Sequence, residues 1–156
     1  MIMATATVSE KLKSLAKNLT KDYPRSPRET LGGFVIAGRT LDKCRAHLNG
    51  TVGEYHFNCP LDQQFLGFAG IAAEDFEAFV ATGASDEEVD QWIREHAQQK
   101  DKLTIVKWNN EKRYTTLKEM PDQIQLYMED YIAENIPKGR VIYHWFDIYD
   151  IEEKRL

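Results

Sequence analysis

The chain has 156 residues, 42% of them hydrophobic and 29% charged, a composition that fits one globular domain and excludes a disordered or repetitive chain. No segment approaches the ~20 apolar residues of a membrane-spanning helix, and the opening MIMATATVSEKLKSLAKNL has no apolar run like a signal peptide. Two cysteines in such a chain make a structural disulfide unexpected and lead to a cytoplasmic assignment.

Ser9 opens a first helix whose apolar stripe is Val8, Leu12, Leu15 and Leu19. This N-terminal helix, over 1–18, is expected to lie beside a single globular domain over 19–156. Pro24 then breaks the pattern, and Ser26, Pro27 and Glu29 read as the N-cap, first residue and capping-box partner of a short helical turn. Gly32 and Gly33 end it, and GFVIA over 33–37 is a short buried strand or a pinned loop. Thr40 caps a helix with Leu41, Cys44 and Leu48 on one face, stopped by Asn49-Gly50.

Residues 51–58 read as extended, and Pro60 starts a helix through Phe65, Leu66 and Phe68 to Gly70. A further helix carries Phe76, Phe79 and Val80 as far as Gly83. Ser85 with Glu88 forms a capping box for a helix with Val89, Trp92, Ile93 and Ala97 inward. Residues 103–118 fit strand or helix. Pro121 starts a helix that turns Ile124, Tyr127, Met128, Tyr131 and Ile132 inward and stops near Pro137. The tail over 140–150 is apolar at odd and even positions alike, so periodicity does not choose between strand and buried helix, and Trp145, Phe146 and Asp147 read as core filler or an aromatic clamp. The sum is a mainly α, single compact domain of about six helices with one or two short strands.

The net charge of −5 is unevenly spread. Residues 1–60 carry nine Lys/Arg against five Asp/Glu, and residues 61–99 carry one against nine. A basic third and an acidic third could pair within the fold, join subunits in a homo-oligomer, or leave the basic part for a small anion or a protein partner. Nucleic acid is disfavoured, because phosphates call for clustered cations without so dense an acidic neighbour. The same reason rejects a helix–turn–helix reading of FVATGASDEEVDQWIREH, whose second helix opens Asp86-Glu87-Glu88.

Three candidate sites follow. Cys44, His47, His56 and Cys59 form a C-x2-H…H-x2-C array with two-residue gaps typical of zinc ligands. Against it, Cys44 lies on an apolar stripe, and an extended segment would turn His56 away from Cys59. No cofactor is expected, zinc being the weak candidate. Secondly, Pro60 places Cys59 at a helix N-cap, where unpaired N–H groups favour a thiolate, with His56 as base and Asp62 as an opposing charge in the first turn. Thirdly, Arg25, Ser26, Arg28 and Arg39 cluster around the short turn as a site for phosphate or carboxylate.

Four stretches, LTKDYPRSPRETLGG, RTLDKCRAHLNGTVGEYHFNCPLDQQF, ATGASDEEVDQWI and HWFDIYD, resemble a bacterial family of domains of unknown function, the DUF5069 type. The likeness runs from Leu19 to Asp150 and is least over 103–140. It implies a single-domain, cytoplasmic bacterial protein and brings no catalytic residue with it. The favoured expectation is a non-catalytic binding or interaction module, using the arginines and the turn from Glu54 to Asp62. A small enzyme built on Cys59 and His56 and a self-assembling protein are the alternatives.

Overall fold

Every residue of one helix from Ala37 to Ala46 is buried, although Arg39, Asp42, Lys43 and Arg45 are among them. This helix, α2 (Ala37–Asn49), is the axis of a computed structural model that describes residues 9–156. Before it come α1 (Glu10–Leu15) and the strands β1 (Thr30–Leu31) and β2 (Phe34–Val35). After it come α3 (Pro60–Ala69), α4 (Ala73–Val80), α5 (Asp86–His96), α6 (Lys102–Arg113), a 3-10 turn at Leu117–Glu119, α7 (Asp122–Asn135) and α8 (Trp145–Glu152). The described residues are thus mainly α-helical with one two-stranded antiparallel sheet. No helix among them is long and apolar enough to cross a membrane.

Local chemistry sets several of these elements. Ser9 caps α1 by accepting from the Leu12 N–H, while Val8 lies outside the described residues. Cys59 is the N-cap and Pro60 the first residue of α3, and Gly70 closes it in the left-handed region. Ser85 and Glu88 form the expected reciprocal box at α5. Of residues 103–118, open to two readings from periodicity, 103–113 are helical in α6, which Asp101 caps by accepting from the Thr104 N–H, and 117–118 belong to the 3-10 turn. Trp108 of that helix then stacks on Phe68 at 4.4 Å. In the tail, residues 145–150 enter α8, with Phe146 fully buried as core filler, while His144 bridges to Thr116.

Four expectations change. Residues 26–29 form a turn rather than a helical cap: the Ser26 hydroxyl accepts from the Arg28 N–H, the Glu29 N–H donates to the Ser26 carbonyl, and Glu29 is exposed. Helix α2 begins three residues before Thr40. Its entry is fixed by Ile36, at φ 75°, whose N–H donates to the Pro27 carbonyl, and the Thr40 hydroxyl goes to Asp62 instead of a cap. A β-branched residue at that angle costs on the order of 1–3 kcal/mol and persists because its side chain is sealed in the core. Residues 51–58 form turns, not a strand, with Gly53 and Asn58 at positive φ. In α7, Met128, Tyr131 and Ile132 pack on Ile136, Ile148 and Ile151, but Ile124 and Tyr127 face outward, 39% and 52% exposed.

The main core gathers Phe34, Phe65, Phe76 and Phe146 around the apolar side of α2, where Leu41 and Cys44 are sealed from water. Asn109 of α6 ties the hairpin to it. Its carboxamide accepts from the Val35 N–H at 3.0 Å and donates to the Gly33 carbonyl at 2.8 Å, supplying partners that a third strand would otherwise give.

Gly32 and Gly33 make the two-residue hairpin turn with positive φ at both positions. A methyl group on Gly32 would meet Ile93 at 2.6 Å, whereas one on Gly33 would clear Arg94 at 3.6 Å. Gly32→Ala is therefore expected to lose about 1–3 kcal/mol more than Gly33→Ala in chemical denaturation; equal losses would show that the turn alone, and not the Ile93 contact, demands glycine.

Candidate functional site

Each charge buried on α2 meets a different part of the chain. Arg39 makes a two-pronged pair with Glu153, both contacts at 2.7 Å, and its guanidinium lies over the rings of Tyr149 and Tyr55. Asp42 accepts from Arg25, and Arg45 donates to Asp86 of α5 at 2.8 Å, as Arg25 does at 3.0 Å. Lys43 reaches α3, where its ammonium lies 3.0 Å from Asp62 and donates to the Cys59 sulfur at 3.1 Å.

Arg39 and Lys43 are four residues apart, so they stand on one face of the helix. That face borders a cavity of about 450 Å³. The turns before α3 add Tyr55, His56 and Cys59, α7 adds Tyr131, α8 adds Tyr149 and Glu152, and Glu153 follows as the residue that caps α8. Tyr23, Glu54 and Leu61 complete the lining. The Tyr55 hydroxyl donates to Glu153 at 2.9 Å, and the Tyr131 hydroxyl donates to Glu152 at 2.7 Å.

Burial and charge set the ionisation of this lining. Burial alone would raise the Glu153 carboxyl, but Arg39, helped by Arg155 and Tyr55, holds it below the usual range. Burial pushes Tyr149 up to about 12. Tyr55 and Tyr131 are also raised, first by burial and then by the neighbouring Glu153 and Glu152. The three phenols therefore line the cavity as neutral donors at physiological pH.

Asp62 is fully buried and satisfied from three sides: by Thr40 at 2.7 Å, by the Asn58 N–H at 2.9 Å and by Lys43. Its part is to hold Lys43 against Cys59, with the cation in contact with both groups. His56 borders the same cavity from an exposed position, without a hydrogen bond to Cys59.

The remaining sequence candidates disperse. Arg25 is taken by Asp42 and Asp86, Arg28 by Asp147 and Asp150 at 2.6 Å each, and Ser26 by the turn itself. Of the arginine cluster, Arg39 borders the cavity, already paired. The zinc array does not assemble either. Cys44 sits in the core, where burial pushes its thiol up, and His47 packs against Phe57 at 6.0 Å. Among the described residues no group of three or more His, Cys, Asp or Glu side chains is placed to hold a metal ion.

The family model described as Domain of unknown function (DUF5069) matches residues 21–155. The chain belongs to that family. A search of curated proteins returned no match. The matched DUF5069 span includes every residue that borders the cavity.

Sequence reasoning reached Cys59, His56 and Arg39; it counted Lys43 only as one more cation near the arginines, not as the neighbour of Cys59, and missed the tyrosines and Glu153. Two signals were present. Arg39 and Lys43 are one helical turn apart, as are Tyr149 and Glu153, so each pair puts a polar group on one face of a helix whose other face is apolar.

Removing one partner of the buried Arg39–Glu153 pair strands the other charge, so Glu153→Gln is expected to cost about 3–5 kcal/mol of stability. The pH dependence has a definite sign. The folded Glu153 carboxyl lies below its ordinary value of 4.5, so its contribution is complete above that pH and fades as pH falls through the folded value. Denaturation midpoints from pH 7 to pH 3 are expected to fall more for the native chain than for Glu153→Gln; parallel curves would show that the pair does not carry this acid sensitivity.

Proposed function

We propose that this DUF5069 chain is a small-molecule binding module whose ligand is an organic cation held in the cavity between α2, α7 and α8. The supporting observation is the balance of charge in the lining. Both cations are already neutralised, Arg39 by Glu153 and Lys43 by Asp62. Glu54 and Glu152 border the same space without an ion pair to any described residue, and Tyr23, Tyr55, Tyr131 and Tyr149 surround it. Aromatic faces attract a cationic head, and a carboxylate in the same cavity adds a charge partner. This reverses the sign of the ligand expected from the arginine-rich sequence, because those arginines are spent inside the fold. The free thiols Cys44 and Cys59 fit a reducing cytoplasm.

A melting series with small primary and quaternary amines, set against acetate and phosphate, tests this reading. Amines are expected to raise Tm, with about 2.7 kcal/mol of stabilisation at a hundredfold excess over Kd. Glu152→Gln is expected to abolish most of that rise. Stabilisation by the anions alone would overturn the assignment.

A catalytic reading rests on the Lys43–Cys59 contact. An ammonium and a helix N-terminus beside one sulfur suit a nucleophilic thiol. Iodoacetamide at neutral pH is then expected to label Cys59 at least tenfold faster than Cys44, and Lys43→Met combined with Asp62→Asn to remove most of that advantage. Equal, slow labelling of both thiols would end it.

A further inference from the structure

We propose that Lys43 and Cys59 are a modification site at which a peroxide closes a covalent, thiol-reversible bond between the lysine nitrogen and the cysteine sulfur.

Three features of the fold converge on this chemistry. The two reacting atoms already touch, with the Lys43 ammonium donating to the Cys59 sulfur at 3.1 Å. The lysine cannot leave: its side chain is 4% exposed, on a buried stretch of α2, and Asp62 holds its tip from the other side at 3.0 Å. The sulfur, in contrast, is only half-buried and borders the cavity, so a small oxidant reaches it without opening the core. Cys44 shares none of this, being sealed in the main core.

The steps balance with a peroxide as the one added reactant. The Cys59 sulfur attacks a peroxide oxygen, the O–O bond breaks, and the products are a sulfenic acid and one water. Lys43 passes a proton to Asp62, whose oxygen lies 3.0 Å away, and becomes a free amine. The amine attacks the sulfenic sulfur, a nitrogen–sulfur bond forms, and the oxygen leaves as a second water. Sulfur has lost two electrons and the peroxide has gained them. The buried ion pair becomes two neutral groups, a protonated Asp62 and a sulfenamide, so no charge is stranded inside the fold. Two equivalents of a small thiol reverse the bond, regenerating Cys59 and the Lys43 amine and leaving with their own disulfide.

A sulfenic acid in an open cavity ordinarily proceeds to irreversible sulfinic and sulfonic acids unless a nucleophile captures it first. Lys43 is that nucleophile here, in contact before the oxidant arrives. The bond joins the buried face of α2 to the first turn of α3, at the floor of the cavity.

The experiment is intact-mass and peptide-map analysis of the full chain after hydrogen peroxide at neutral pH, with and without dithiothreitol. The mass is expected to fall by about 2 Da, a peptide joining Lys43 to Cys59 to appear, and both changes to vanish on reduction. An internal disulfide would give the same mass, so Cys44→Ser decides between them: it must leave the mass loss intact. Cys59→Ser and Lys43→Arg must abolish it, the latter diverting Cys59 to sulfinic acid with a gain in mass. Circular dichroism confirms that each variant is folded, and the peptide map of the unmutated chain decides the matter even if a variant is not. Sulfinic or sulfonic acid on Cys59 with Lys43 free, an unchanged Cys59, or loss of the effect in Cys44→Ser would overturn the proposal. This result is separate from the organic-cation reading, since amines can raise Tm whether or not peroxide closes the bond.

Discussion

The structure depends on a helix that buries four charges. An isolated charge inside a protein costs several kcal/mol, so Arg39, Asp42, Lys43 and Arg45 can lie inside only if each meets an opposite charge. The partners come from separate parts of the chain: Glu153 beyond α8, Arg25 from the loop before the hairpin, Asp62 on α3 and Asp86 on α5. Each pair therefore fixes the position of one segment against α2. The free energy that closes the fold comes from the other side of the same helix, where the phenylalanine cluster leaves water. Replacing a buried pair by well-packed apolar residues is often neutral or stabilising, so the ionic side contributes placement more than strength. Apolar contacts alone would leave the rotation of α2 about its axis far less determined.

How much of this was legible depended on how far away the cause lay. The boundaries of α3 and α5 were readable because Pro60, Gly70, Ser85 and Glu88 act within a few residues of themselves. The start of α2 was not, because it is set by the Pro27 carbonyl and a strained Ile36 rather than by a cap. Residues 51–58 carry turn residues at Gly53 and Asn58 that outweighed their alternation. The unequal charge along the chain was plain, and much of it is spent between segments of the one chain, Arg45 and Arg25 on Asp86 and Lys43 on Asp62. What no local pattern revealed is that carboxylates 114 to 122 positions away claim Arg28 and Arg39. That is why a run of basic residues, read alone, resembled an anion site. Cys59 and His56 were found from their own chemistry, while Lys43 acquires meaning only when α3 packs against α2.

The cavity combines walls of unequal firmness. On the α2 side every lining group is anchored: Arg39 by a two-pronged pair beneath two aromatic rings, Lys43 by Asp62 and Cys59. The opposite wall includes Tyr131 on α7, a helix with no fully buried residue that rests on a small cluster of isoleucines. Segments with few buried contacts open at lower free energy than the core. Local opening is therefore expected at α7 before the charged floor. The neutral phenols add hydrogen-bond donors at the boundary between these walls without adding charge.

The Arg39–Glu153 pair also sets an order of events during synthesis. A ribosome delivers Arg39 more than a hundred residues before its carboxylate. Throughout that interval α2 has no complete set of partners, so the nascent helix cannot settle in the interior with its guanidinium satisfied. Asp147 and Asp150, which claim Arg28, arrive at the same late stage. The cavity side of the domain is consequently completed last, by the arrival of α8, and a chain arrested before residue 153 would leave its basic segment exposed in place of the finished fold.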